Sequence, residues 1–215
     1  MLFRSVERAD PREAIYNTNG FGVDEPIIGH PGSSDQAMKT QTVNYPAWLD
    51  NGAAYLHLFS KSELYFIIEE VKARLNQDAK SDFETAVTAS FKDYFVASGS
   101  SVDDATITDY LKSIETRYAD NALKEIMVQK YIAQTRDEQL ETYNDIRRCR
   151  YVDGTYYVSL TNPMNIQAKV NRWPLRLPYG ESDVVSNPNV SAAFGSGSTA
   201  GDYEFTDPVW WAGGK

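Results

Sequence analysis

Residues 60–75 read SKSELYFIIEEVKARL, and they open a block, residues 60–150, that contains no proline and one glycine, Gly99. Ser60 and Glu63 have the spacing of a capping box, in which each side chain accepts a hydrogen bond from a free amide at the helix start. Apolar residues then recur at helical intervals. They are Leu64, Ile67, Ile68, Val71 and Leu75. The pattern predicts a helix that buries this apolar stripe.

The same block predicts four further helices. Capping-box spacing begins at Ser81 and again at Thr135, and two more helices are expected from about Thr106 and from about Asn121. Each has apolar residues aligned on one side. They are Phe83, Val87, Phe91 and Tyr94; Ile107, Tyr110, Leu111, Ile114 and Tyr118; Leu123, Met127 and Tyr131; and Leu140, Tyr143 and Ile146. These aromatic residues are therefore expected to form core.

Short connections between the predicted helices make neighbouring helices antiparallel. We therefore expect a mainly α fold of stacked helical hairpins, tetratricopeptide-like in pitch, with long irregular N- and C-terminal segments packed on them. Residues 1–59 and 151–215 are rich in proline, glycine, asparagine and serine, which favours irregular structure. The prediction is a single domain, residues 1–215, with the helical block at 60–150. Trp48, Trp173, Trp210 and Trp211 in the flanks would cover apolar helix faces.

The charge balance excludes several classes of partner. The chain has 21 basic and 30 acidic residues and a formal net charge of −9, so nucleic acid is not an expected partner. Its single cysteine, Cys149, cannot form an internal disulfide. Residues 1–10 contain no apolar signal region, and no apolar run has the length of a membrane span.

No catalytic set is evident, so an enzyme is not expected. His30 and His57 have no metal-ligand partner at helical or strand spacing, so neither a metal nor a cofactor is predicted. The carboxylates Asp103, Asp104 and Asp109 have donors suited to calcium but lack the spacing of an EF-hand. A glycosidase would need two carboxylates facing each other across a groove, which the sequence does not reveal.

Aromatic residues are the remaining functional signal. The chain has 14 tyrosines and 4 tryptophans, and flat rings with a polar edge suit the apolar faces and hydroxyls of sugars. Most of these rings fall on the helical stripes or in the tail. Tyr45 and Trp48 flank a proline in an irregular stretch, where recognition residues often lie, and are the candidate carbohydrate-binding residues. The competing interpretation of Trp48 is that it packs against the first helix.

Several segments occur in an order known from one family. They are DPR at 10–12, residues 60–70, QKYI at 129–132, ETYNDIRR at 141–148, NRWPLRLPY at 171–179, NPNV at 187–190 and DPVWW at 207–211. The ordered set resembles the SusD/RagB-type outer-membrane glycan-binding lipoproteins of Bacteroidetes. Tyrosines 131 and 143 stand where that family usually has tryptophan. Members are longer than this chain, which resembles their C-terminal half.

The resemblance implies a function and a location. It implies a nutrient-binding protein, with oligosaccharide as ligand, exposed on the cell outer membrane and acting with a SusC-like TonB-dependent transporter. The lipid anchor and part of the sugar site would lie in the half that this chain does not match. Two alternatives stay open: a helical protein–protein interaction module without sugar binding, and a glycoside hydrolase.

The paired arginines at the end of the fifth predicted helix suggest one specific contact. Cations at a helix C-terminus complement its dipole. Arg147 and Arg148 are also expected to pair with a carboxylate, such as Glu63.

Overall fold

A computed structural model describes residues 8–12, 57–158, 175–177, 179–194 and 207–214. Within these ranges all regular structure is helical. The main helices are α1 (Lys61–Arg74), α2 (Lys80–Ala97), α3 (Asp104–Asp120), α4 (Ala122–Gln134) and α5 (Gln139–Val152). Each packs against the next, and α4 also packs against α1 and α2. The predicted mainly α fold of stacked, tetratricopeptide-like hairpins is confirmed.

The chain divides into two compact units, residues 1–29 with 36–159, and residues 30–35 with 160–215. The second unit contains two short helices, α6 (Glu181–Ser186) and α7 (Pro188–Phe194), and a 3-10 turn, Trp210–Ala212, in a stretch predicted to be irregular. Trp210 is 78% exposed. The prediction of a single domain stays a prediction.

The apolar core of the first unit lies where α2, α3 and α4 meet α1. Its members are Phe66, Phe83, Ala86, Val87, Phe91, Ile107, Tyr110, Ile114 and Ile126. Of the aromatic residues assigned to helical stripes, Phe83, Phe91 and Tyr110 belong to this core. Tyr94 and Tyr131 are also buried. The rings of Phe91 and Tyr110 lie 5.1 Å apart, and those of Phe83 and Tyr118 lie 4.6 Å apart. No described helix is long and apolar enough to cross a membrane.

Of the three capping boxes predicted from the sequence, one is present in the structure. The Ser60 hydroxyl accepts from the amide of Glu63, whose carboxylate accepts from the Ser60 amide, as predicted. The box at Ser81 is wrong, because α2 already begins at Lys80 and Ser81 lies inside its first turn. The box at Thr135 is also wrong, because Thr135 ends α4 and its hydroxyl donates back to the carbonyl of Tyr131.

The buried face of α1 is the opposite of the expected one. Four members of the predicted stripe are between 42% and 62% exposed: Leu64, Ile67, Val71 and Leu75. The face that packs on the other helices carries Phe66 together with Ser62, Glu69 and Glu70. Glu70 turns inward because α4 and α5 supply cations: Lys130 lies 3.4 Å and Arg148 2.6 Å from its carboxylate. The inter-helix pair thus forms at Glu70, seven residues beyond the suggested Glu63.

The segment 8–12 is held by a buried polar network. The guanidinium of Arg8 donates two hydrogen bonds to the carboxylate of Glu125 on α4, at 2.8 and 2.7 Å. Arg12 pairs with Asp10 at 2.6 Å and also donates to Gln129 of α4 and Ser90 of α2. Both arginines are buried. This segment of the N-terminal stretch therefore packs on the helices, as the sequence predicted.

Candidate functional site

A polar cavity lies where the start of α1 meets α2 and the connection between α4 and α5. We call it the α1–α4 pocket. The residues that line it are His57, Ser60, Ser62, Glu63, Phe66, Ser90, Asp93, Tyr94, Ala133, Gln134, Arg136, Asp137 and Glu138. The cavity volume of this pocket is about 20 Å³. This is enough for one water molecule or ion and is far below the roughly 300 Å³ of a small-molecule pocket.

His57 is the centre of the pocket's hydrogen bonding. Its Nε2 is in short contact with Glu138, and its Nδ1 lies 3.7 Å from the carboxylate of Asp137. The Glu63 carboxylate accepts from the amide of Ser60 at 3.4 Å. The capping box of α1 thus places one glutamate in the pocket, and the turn after α4 supplies a second.

Negative charge is concentrated in this small volume. Burial, and after it the charge of Glu138, raises the pKa of the Glu63 carboxyl above its ordinary value. Burial also raises the pKa of Asp93, although its hydrogen bond from Ser62 acts in the opposite direction. Arg136 is in short contact with Asp137. The pocket therefore favours a small cation over an anion or an apolar group.

The sequence missed this pocket because its members are far apart along the chain. His57 and Glu138 are 81 residues apart, so no local spacing could connect them. The calcium donors considered from sequence have other partners in the structure. Asp103 caps α3 through the amide of Thr106, while Asp104 pairs with Lys92 and Asp109 with Lys112.

A second, wider hollow lies on the outer surface of α2. Its volume is about 520 Å³, and it is lined by Lys61, Ser81, Glu84, Thr85, Thr88, Ala89, Lys92, Asp93 and Leu111. These hydroxyl and charged groups can pair with the hydroxyls of a polar ligand. Among the described residues the lining contains no aromatic ring, so these residues do not provide the stacking platform expected for a sugar.

Exposed tyrosines occur at the end of α5. Tyr151 and Tyr156 are about half exposed, and the guanidinium of Arg150 lies 5.5 Å from the centre of the Tyr156 ring. An aromatic face beside a cationic donor has the chemistry that a sugar requires. The sequence did not single out these two tyrosines because their stretch carries no motif.

The predicted carbohydrate-binding residues, Tyr45 and Trp48, lie outside the described residues. Their assignment stays a prediction. Cys149 is described: its thiol is buried, and burial raises its pKa to about 11 despite the nearby Arg148 and Arg74. A thiol with that pKa stays protonated at neutral pH and is a poor nucleophile.

Comparison with known proteins gives two matches. A family model described as "Starch-binding associating with outer membrane", SusD-like_2, matches residues 4–179. The chain is also similar to a SusD/RagB family protein from Bacteroides thetaiotaomicron VPI-5482 whose crystal structure is known, with 33% identity and a TM-score of 0.74. That match covers 100% of this chain and 49% of the other, so the chain spans about half the length of its solved relative. No curated protein matches.

Proposed function

The chain belongs to the SusD-like family, and from that membership we propose that it binds an oligosaccharide at the surface of the outer membrane for uptake. The observation that carries the proposal is the family match over residues 4–179. Proteins of this family are binding proteins rather than enzymes and are associated with the outer membrane.

The proposed partner is a SusC-like TonB-dependent transporter, to which the bound glycan would pass. The proposed sugar contacts are Tyr45 and Trp48, as the sequence suggested. Tyr156 is added because its ring is about half exposed beside the guanidinium of Arg150. Ring stacking on sugars gives weak contacts individually, so several rings acting together fit the proposal better than one.

Titration calorimetry of the full chain against a panel of plant and host glycans tests this function. We expect saturable heat with at least one glycan, and at least tenfold weaker binding after Trp48→Ala or Tyr156→Ala. Tyr94→Phe is the matched control, because Tyr94 is buried and donates its hydroxyl to the carbonyl of Ile132. Absence of heat with every glycan in the panel would contradict the proposal.

One observation favours a second candidate, a protein-interaction module without sugar binding. The exposed apolar stripe of α1 presents Ile67 and Val71 at helical spacing, and exposed apolar faces of this kind commonly mark partner contacts. The test is whether the full chain captures a SusC-like transporter. Capture that is lost in Ile67→Asp/Val71→Asp but kept in the exposed control Ala119→Asp would support the interaction module. Transporter capture together with glycan binding would favour the uptake function instead.

A further inference from the structure

Three side chains of the α1–α4 pocket meet in a way that suits a metal ion. His57, Glu63 and Glu138 each offer one ligand atom, and these atoms all lie within 4.8 Å of one another. In a tetrahedral Zn²⁺ site two ligand atoms lie about 3.4 Å apart, because each bond is about 2.0–2.2 Å long. Movement of the widest pair by at most about 1.4 Å would therefore bring all three ligands onto one ion.

A further oxygen in the same pocket has no hydrogen-bond partner among the described residues. Gln134 is 7% exposed, and its Oε1 makes no hydrogen bond in the described part of the protein. Its Nε2 donates to Glu138 at 3.4 Å, which places the amide beside one of the three ligands. A buried oxygen without a donor is uncommon and costly in native proteins. A cation in the pocket would satisfy it.

Each ring nitrogen of His57 faces a carboxylate. Nε2 faces the carboxylate of Glu138, while the other ring nitrogen faces Asp137 at 3.7 Å. Ligating histidines commonly direct their second nitrogen to a carboxylate, which fixes the tautomer and the ring orientation. The charges that face the pocket are Glu63, Glu138, Asp93 and Asp137 against the single permanent cation Arg136.

We propose that the α1–α4 pocket binds one divalent transition-metal ion of the zinc class, through His57, Glu63 and Glu138, with Gln134 as an additional oxygen donor. An imidazole with two carboxylates suits zinc, whereas calcium and magnesium prefer sites built from oxygen alone. The three ligands come from the residues before α1, from α1 itself and from the residue before α5. The ion would therefore stabilise the junction between these helices.

Calorimetric titration of the metal-free full chain with Zn²⁺ tests the proposal. We expect one Zn²⁺ per chain and at least tenfold weaker binding in His57→Ala and in Glu138→Gln. Two controls are expected to bind as the wild type does. His30→Ala removes the only other histidine of the chain, and Glu141→Gln removes an exposed carboxylate from α5. A Ca²⁺ titration is expected to show weaker binding than Zn²⁺.

Nuclear magnetic resonance gives a readout that does not depend on the folding of a pocket variant. In His30→Ala the one remaining histidine is His57, and its ring resonances should shift saturably with one equivalent of Zn²⁺. The proposal is overturned if these resonances do not shift. It is overturned as well if the wild type shows no saturable Zn²⁺ binding, or if His57→Ala, with its helical content intact, binds Zn²⁺ as the wild type does.

Discussion

At the scale of single residues, Glu69 and Glu70 differ sharply although they are neighbours on α1. Glu69 is fully buried, and neither of its carboxylate oxygens has a hydrogen-bond partner among the described residues. Glu70 is also buried but contacts Arg74, Lys130 and Arg148. Of these two adjacent glutamates, one is thus buried without a hydrogen-bond partner among the described residues and the other is surrounded by cations. No pattern in the sequence distinguishes them, because the difference comes from side chains on other helices.

Glu69→Gln is expected to stabilise the protein increasingly as the pH rises. Burial, and after it the charge of Asp82, raises the pKa of Glu69 to about 10, whereas an unfolded glutamate titrates near 4.5. The folded state then binds one proton more than the unfolded state between these values, so wild-type stability falls as the pH rises. The variant lacks this loss, which amounts to about 1.4 kcal/mol for each pH unit.

Urea unfolding at pH 4 and pH 7 measures the effect. The free-energy gap between Glu69→Gln and the wild type should grow by about 3 kcal/mol between these pH values. Glu84→Gln, exposed on α2, is the control and should show no such growth. A gap that does not change with pH would contradict the assignment of a protonated Glu69.

Glu70 should make the protein sensitive to acid. Burial acts to raise its pKa, but hydrogen bonds from Arg148 and the charge of Lys130 outweigh burial and lower it to about 2. Its stabilising contribution is complete above pH 4.5 and is lost as the pH falls towards 2. At pH 6 the free energy of unfolding of the wild type should exceed that of Glu70→Gln. This excess should be smaller by about 2–3 kcal/mol at pH 2.5. A difference that is constant over this range would show that Glu70 is not held ionised.

At the scale of helices, α1 shows what amphipathic pattern can and cannot predict. Periodicity identified α1 correctly and located its start at Ser60, since helix spacing and capping are local properties. It assigned the wrong face, because the cations on α4 and α5 draw Glu70 inward. The sequence of α1 has no information about those partners. The apolar stripe thus remains on the outside.

Paired substitutions on α1 measure this inversion. Val71→Ser, on the exposed stripe, is expected to change the free energy of unfolding by less than about 0.5 kcal/mol. Phe66→Ala, on the buried face, should cost about 3–5 kcal/mol because it leaves a cavity in the core. If Val71→Ser proved as costly as Phe66→Ala, the face predicted from sequence would be the buried one.

The helix starts give a second comparison between elements. Asp103→Ala should cost about 0.5–2 kcal/mol, because the Asp103 carboxylate accepts from the amide of Thr106 at 2.6 Å. Ser81→Ala should cost almost nothing, since Ser81 is exposed inside the first turn of α2. Thermal or urea unfolding distinguishes the two. A clear loss of stability in Ser81→Ala would instead support the capping box that the sequence predicted at this residue.

At the scale of the whole molecule, the order of the sequence segments along the chain was more informative about the family than the amino-acid composition was. The ordered segments identified the family, whereas the aromatic content suggested sugar binding through rings that are mostly core. The α1–α4 pocket was beyond prediction, because it joins a histidine before α1 to a carboxylate at the start of α5. Such a site depends on tertiary contacts that sequence spacing does not record.

The buried network of residues 8–12 should be one of the most sensitive parts of the molecule. Arg12→Met is expected to cost about 3–5 kcal/mol, because it leaves the buried Asp10 without its cation. Adding Asp10→Asn should recover more than about 1 kcal/mol of that loss, since the two groups are coupled. Lys112→Met, an exposed control, should stay within about 0.5 kcal/mol. Simple additivity in the double variant would contradict the coupling.

The same network has a consequence for the order in which the protein forms. Arg8 and Glu125 are separated by 117 residues, as are Arg12 and Gln129. During synthesis on the ribosome, residues 8–12 are made before α4 and must wait for it before their charges find partners. Contacts so distant along the chain carry a large loop-closure cost and slow folding. Folding of the first unit therefore finishes only after α4 has been made and has met residues 8–12.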